Sequence, residues 1–284
     1  MQSAAELRAS AQSRLRWELL VNLVRKDLKV KYKSSTLGFL WTLANPLLYL
    51  VVFSLVFTKF LPAGIPDFWV YFMSGLLVWN FFNQATLSAT GSVVGSANLV
   101  KKVPFPRLVL PLSSVGFAGV HFALQLAVFA VFLLAFYRDA FGPQLLLLIP
   151  ALAVAVVFSA AMSFLLSSLN VSYRDVQHLY EVALIAGFWL SPIVYQIGVV
   201  KDQLDRAGLF WLYMLNPMTT VIASMQRAIY AVDRTSPGGQ AVFADPGYAF
   251  YLKWLGIAAL ISLALLALDL WTFRRLEHNF AEEL

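Results

Sequence analysis

The sequence predicts an all-α polytopic membrane protein: six transmembrane helices, an amphipathic interfacial helix ahead of them, short re-entrant outer helices between spans five and six, and both termini cytoplasmic. Three observations carry this prediction. Of 284 residues, 60% are hydrophobic and 13% charged, about half the charge of a soluble chain, so a soluble fold would lack polar surface to cover its core. The apolar runs are long and continuous rather than alternating, which argues for helical spans and against an outer-membrane barrel. Lys and Arg concentrate in alternate connections, as the positive-inside rule requires.

Residues 1–37 form the cytoplasmic interface segment and hold eight Lys/Arg. The first 13 residues are polar, with no apolar stretch or small-residue cleavage site, so no cleavable signal is expected. On a helical wheel Arg14, Glu18, Asn22, Arg25 and Lys29 form one polar stripe, and Leu19, Leu20, Leu23, Val24 and Leu28 lie on the other side. Arg16, Asp27 and Lys31 interrupt that pattern. The basic run continues through Lys29, Lys31 and Lys33 into an uncharged segment, Gly38 to Phe57, which is long enough at about 1.5 Å per residue to cross the hydrocarbon core.

The membrane domain, 38–273, divides into spans near 38–57, 68–90, 109–137, 145–169, 179–199 and 250–273. Lys101, Lys102 and Arg107 (connection 91–108), Arg174 (connection 170–178) and Arg274 and Arg275 (tail 274–284) lie on the N-terminal side; the short opposite loops carry only Lys59 and Arg138. The outer gate region 200–249 contains the apolar stretch Gly208 to Tyr230. Asn216-Pro217 breaks that stretch, and a seventh span would place Arg274 and Arg275 outside, so a re-entrant pair is preferred. On span four, Ala151, Ala155, Ser159, Ser163 and Ser167 repeat every fourth residue, a spacing that lets helices approach closely.

Ion-coupled transport needs ionisable groups at membrane depth. Spans one, two and four hold none, His121 is alone in span three, and Glu181 and Asp269 lie close to span ends. An antiporter or a cation channel is therefore disfavoured. No phosphate-binding loop of the Gly-x-x-x-x-Gly-Lys type occurs, so energy for active transport must come from another subunit. The chain has no cysteine, which rules out disulfides and thiolate metal sites, and its three histidines are scattered, so no metal site is expected. The net charge of +6 sits mostly in loops and reads as topology, not nucleic-acid binding. The interior is aromatic instead: Trp41, Tyr49 and Phe53 on span one, Trp79 on span two, Phe188, Trp189 and Tyr195 on span five. Most single aromatics of this kind serve packing or the membrane interface. Together they suit a path for sugar, because ring faces stack on the C–H faces of pyranose and furanose rings. Asn45 adds a neutral hydrogen-bonding group one turn from Trp41 and Tyr49.

The segment 98–107 combines Lys101, Lys102 and Arg107 with Phe105 framed by Pro104 and Pro106. It predicts a short helix, capped by Asn98, that offers an aromatic knob and cations to the cytosol. Arg174 and Asp175 form a local ion pair or a second contact.

The run Arg25 to Trp41, followed by Asn45-Pro46-Leu47, resembles the N-terminal signature of permease subunits of type-2 ATP-binding-cassette exporters, above all those exporting O-antigen, teichoic acid, capsule and cell-wall galactan. Leu99 to Arg107, Asn170 to Val176, Ser191-Pro192 and Leu215-Asn216-Pro217 are similar to the same family in the same order. The resemblance covers nearly the whole chain. It implies six spans, a homodimer, and two cytosolic ATPase subunits that carry ATP and magnesium, with no cofactor and no catalytic residue in this chain. It implies that 98–107, with Lys101, Lys102, Phe105 and Arg107, docks on the ATPase, with Arg174 and Asp175 as a further contact. It implies a pathway lined by Trp41, Asn45, Tyr49, Phe53, Phe188, Trp189 and Tyr195, with Lys29, Lys31 and Lys33 at the entrance for the diphosphate of a polyprenyl-linked polysaccharide, all in a bacterial plasma membrane. Two other readings are a type-2 permease for a lipid or drug and a membrane glycosyl or phosphoglycosyl transferase. The latter needs acidic residues clustered near one membrane face, which the sequence does not show.

Overall fold

The structure, a computed structural model, describes residues 4–33, 35, 38–60, 64–102, 105–230, 242–245 and 247–284, with side chains in the first helix from Trp17 onward. The described residues form no strand. The helices are α1 (Ala4–Tyr32), α2 (Trp41–Leu55), α3 (Phe68–Thr90), α4 (Ala97–Lys102), α5 (Val109–Phe136), α6 (Leu148–Ser172), α7 (Val176–Leu190), α8 (Ile197–Asp205), α9 (Phe210–Met214), α10 (Pro217–Tyr230), α11 (Tyr248–Leu276) and α12 (Phe280–Glu283).

Among the described residues, four helical stretches are long and apolar enough to cross a membrane: Trp41–Phe60, Val109–Phe136, Pro143–Ser172 and Tyr248–Leu276. Helix α3 has 23 residues, about 34 Å, but Asn80, Asn83, Gln84 and its tryptophans lower its hydropathy. It is also the most enclosed of the long helices, packed by α5, α6, α10, α2 and α7, so little of it needs to be lipid-compatible. The fifth predicted span differs from the structure. Helix α7 stops at Leu190 after 15 residues, the 191–196 segment turns, and α8 starts at Ile197.

The stretch 208–230 is two helices, not one. Asn216 ends the first, and its Oδ1 accepts the Met218 N–H at 3.0 Å. An N-cap Asn followed by Pro in the first helical position is a strong helix start. Every residue of α10 is buried, among α3, α6 and α11. Gly75 makes the α3–α10 crossing: a Cβ there would lie 2.9 Å from Gln226 Nε2 and 3.1 Å from Ile222 Cγ2. The small-residue stripe of span four is buried as expected, from Ala151 to Ser167, and α6 packs more closely on α11 than any other pair of helices in the fold. Ser163 satisfies itself on the Ser159 carbonyl at 2.6 Å.

Helix α1 lies along α5. Leu19, Leu20, Leu23, Val24 and Leu28 are half-buried, whereas Glu18, Asn22, Arg25 and Lys29 are exposed, which is the wheel read from sequence. Asp27 is half-buried and pairs with Lys26 at 3.1 Å.

Candidate functional site

Helix α2 leaves most of its surface open; of its residues only Pro46 is buried. Trp41, Asn45, Tyr49 and Phe53 follow at intervals of four, so they share one face. Phe53 sits at the centre of a ring cluster: Tyr49 at 6.0 Å, Phe57 stacked at 5.9 Å, Phe72 of α3 stacked at 5.1 Å, and Phe188 and Trp189 of α7 at 6.0 and 6.3 Å. Trp79 joins through Phe188 at 6.3 Å. A Cβ at Gly187 would lie 2.9 Å from the Trp79 ring, so the absence of a side chain there lets α7 come close to α3.

Two clefts adjoin along this face and share Tyr49, Asn80 and Asn83. The first, of about 290 Å³, is bounded by Phe53, Trp79, Glu181, Phe188 and Trp189. The second, of about 380 Å³, is bounded by Lys31, Trp41, Asn45, Gln84, His121 and Gln125. Six of the seven predicted lining residues therefore meet on one face. Tyr195 does not line either cleft. It lies in the turn after α7, where its hydroxyl donates to the Trp189 carbonyl at 3.1 Å and meets the Tyr213 hydroxyl at 3.2 Å. That turn is held from inside: Tyr71 donates to the Tyr195 carbonyl at 2.8 Å, and Gln226 to the Pro192 carbonyl at 2.7 Å.

The junction between α1 and the clefts is hydrogen-bonded. His121 Nδ1 faces the Phe117 carbonyl at 2.9 Å; a carbonyl only accepts, so Nδ1 carries the hydrogen and Nε2 of the neutral ring accepts from the Tyr32 hydroxyl at 2.6 Å. Gln125 donates to the Thr42 carbonyl at 2.8 Å. Burial raises the Tyr32 hydroxyl above its ordinary value, with Thr42 bonding in the opposite sense. Lys31 lies 5.2 Å over the Phe117 ring, and partial burial lowers its pKa. Lys29 and Lys33 are exposed.

The cation-rich end of the fold departs from expectation in three details. Lys101 and Lys102 are exposed at the end of α4, but Phe105 packs on a second apolar cluster built around Phe164, Phe273 and Phe280. Arg107 donates to the Glu277 carbonyl. The aromatic knob is thus half-buried against a cluster to which α11 and α12 contribute Phe273 and Phe280, and the return of these helices to this end is not visible in local sequence. Asn98 lies inside α4, one residue past its start at Ala97, and does not cap it. Arg174 and Asp175 are exposed, and no ion pair joins them among the described residues. Asn170 caps α7 instead, accepting the Gln177 N–H at 3.2 Å. Pro104, read as ending the short helix, lies outside the described residues.

Sequence reasoning missed Asn80, Asn83, Gln84 and Gln125. The signal was present: three amides within five residues of an otherwise apolar helix. It was hidden because α3 is enclosed on most sides and shows no polar stripe. Glu181 is a half-buried acid on the first cleft; it pairs with His178 at 3.8 Å and accepts from Gln177 at 3.4 Å.

The fold and site together define an apolar helical bundle, with helices long enough to cross a membrane, whose open face is lined by aromatics and amides and is hydrogen-bonded to α1. The chain belongs to the ABC-2 type transporter family, which matches it over residues 18–230. It is 30% identical over 269 residues, 94% of this chain and 95% of the relative, to a Klebsiella pneumoniae protein named "O-antigen export system permease protein RfbA". A Myxococcus xanthus protein of the same name is 30% identical over 236 residues, 83% of this chain and 88% of that one. The Escherichia coli "Polysialic acid transport protein KpsM" is 19% identical over 214 residues, 73% of this chain and 79% of that one. This chain is accordingly an integral membrane permease of the polysaccharide-export branch, a transport component rather than an enzyme.

Proposed function

We propose that the chain is the membrane subunit of an ATP-driven exporter that moves polyprenyl-diphosphate-linked polysaccharide out of the cytoplasm across a bacterial plasma membrane. Two copies face each other across the open face of α2 and α7. Two cytosolic ATPase subunits, which hold ATP and magnesium, contact α4 and the exposed Lys101, Lys102, Arg174 and Asp175. Helices α2, α3, α5, α6, α7 and α11 make the six crossings, α8 to α10 close the outer end as a re-entrant unit, and both termini are cytoplasmic. Lys29, Lys31 and Lys33 attract the diphosphate at the cytoplasmic mouth.

The observation that carries this reading is the convergence of Trp41, Asn45, Tyr49, Phe53, Phe188 and Trp189 on two adjoining clefts. Rings stack on sugar faces and slide, while amides exchange hydrogen bonds with hydroxyls, so neither group holds a moving polymer tightly. A push on α4 has a material route inward. Helix α12 packs on α4 and α6, and α1 is bonded to the cleft through Tyr32 and His121.

Depleting the chain in its own host should leave lipid-linked polymer inside the cell. Complementation with Trp41→Ala plus Trp189→Ala should restore membrane insertion but little export, read by protease-protected polymer in spheroplasts. Full export by this double variant would sink the reading. Replacing Lys33 by Glu should slow export of the lipid-linked form; unaltered export removes Lys33 from the entrance.

A further inference from the structure

Four amides on the open face have no side-chain hydrogen-bond partner among the described residues. Asn45, Asn80, Asn83 and Gln84 line the clefts, and among the described residues their side chains make no hydrogen bond. Gln125 uses its Nε2 on Thr42 and keeps its carbonyl oxygen free. Asn80, Asn83 and Gln84 stand at positions 13, 16 and 17 of the 23-residue α3, more than a turn from either end of the helix. An amide left in hydrocarbon without a partner costs several kcal/mol. Elsewhere in this fold the hydroxyls of Ser163, Ser224 and Thr86 are satisfied on their own helices. Four amides kept open on one face therefore imply a polar occupant that supplies the missing donors and acceptors.

The charges of the same face say what kind. Lys31 at the α1 edge and Glu181 beside Phe188 are the charged residues lining the two clefts. Between them the wall is neutral. A hydroxyl-rich, uncharged sugar exchanges hydrogen bonds with amides at little net cost. A repeat unit bearing phosphate or carboxylate meets no cation in the middle of the path and meets an acid at Glu181, so each step desolvates a charge without compensation. The carrier diphosphate crosses once per chain, whereas a charged repeat would meet this wall at every step.

We infer that the open face of α2, α3 and α7 is a binding wall for uncharged glycan repeats and discriminates against polyanionic ones. This rests on the pathway reading above and adds the chemical class of its cargo. It also separates this chain from the relative named for polysialic acid, whose repeat carries a carboxylate.

The test uses the full chain co-purified with its ATPase subunit in lipid nanodiscs. Tryptophan fluorescence is titrated with neutral glucose oligomers and, at matched length, with sialic acid oligomers and glycerol-phosphate oligomers. Neutral oligomers should bind at least about tenfold more tightly than either anionic series, the ratio expected for about 1.4 kcal/mol. An Asn83→Lys variant should narrow or reverse the ratio. Equal or tighter binding of the anionic oligomers by the wild-type chain overturns the inference while leaving the pathway reading standing. Binding of neither kind overturns both.

Discussion

The α3–α6–α10–α11 interior and the α2–α7 face are made of the same residue types, yet they end in opposite states. Both are rich in aromatics and small polar groups. In the interior, Thr86 bonds to the Phe82 carbonyl, Ser224 to Thr220 and Gln226 to Pro192, while the Ser159 and Thr219 hydroxyls, without a partner among the described residues, are fully enclosed by the packing. On the face, Asn45, Asn80 and Asn83 find none, and Trp41 and Trp189 are 60% and 54% exposed. The difference lies in partners, not composition. A polar group satisfied by its own helix is part of the packing, and one left open at membrane depth marks where something else is meant to sit.

The comparison breaks most readily at Gly75. A Gly75→Leu substitution drives a side chain into Gln226 and Ile222 and should cost about 1–3 kcal/mol or more as overpacking. A large fall in the detergent melting midpoint is expected; an unchanged midpoint would mean that α10 does not press on α3. Phe53→Ala comes next. It removes a ring shared by α2, α3 and α7 and should lower both stability, by about 1–3 kcal/mol for a half-buried ring, and export. Trp41→Ala should separate the two regions. Its stability change should stay within about 0.5 kcal/mol, as for an exposed site, while export drops severalfold. A parallel loss of both would place Trp41 with the packing residues.

Two smaller effects sharpen the junction. Tyr32→Phe deletes the bond to His121 and should cost about 0.5–1.5 kcal/mol, with faster hydrogen exchange over the last turns of α1. No change in exchange would show that α1 is held by its leucines alone. The smallest effect belongs to Lys31. Its lowered pKa means the folded state disfavours the charge; that cost is fully present at neutral pH, begins to shrink as pH rises through the lowered pKa, and is gone above the ordinary lysine value. Because Lys31 is largely exposed, Lys31→Met should alter stability by no more than a few tenths of a kcal/mol.

What could be read in advance follows from how locally each feature is encoded. The α1 wheel, the α2 ladder from Trp41 to Phe53, the α6 stripe and the Asn216-Pro217 break are all periodic or adjacent in sequence, and the structure contains each of them. Features that depend on remote chain are less legible. Local sequence makes Phe105 a free knob, whereas the cluster it packs on includes Phe273 and Phe280, which lie far along the sequence. Tyr195 was placed with the lining because apolar character continues through Ser191-Pro192, although the helix does not. Asn80, Asn83 and Gln84 escaped because an enclosed helix has no solvent face against which an amide stands out.

Helix α10 has a consequence for how the protein is made. Its 14 residues include Thr219, Thr220, Ser224, Gln226 and Arg227, and all are buried. Such a segment is too short and too polar to wait alone in lipid. It has no resting place until α3, α6 and α11 have come together, and α11 follows α10 in the chain. The site that receives α10 is therefore completed only after α11 has been made. A truncated chain ending before Tyr248 would keep α10 without one of its walls and should be a ready substrate for membrane quality-control proteases.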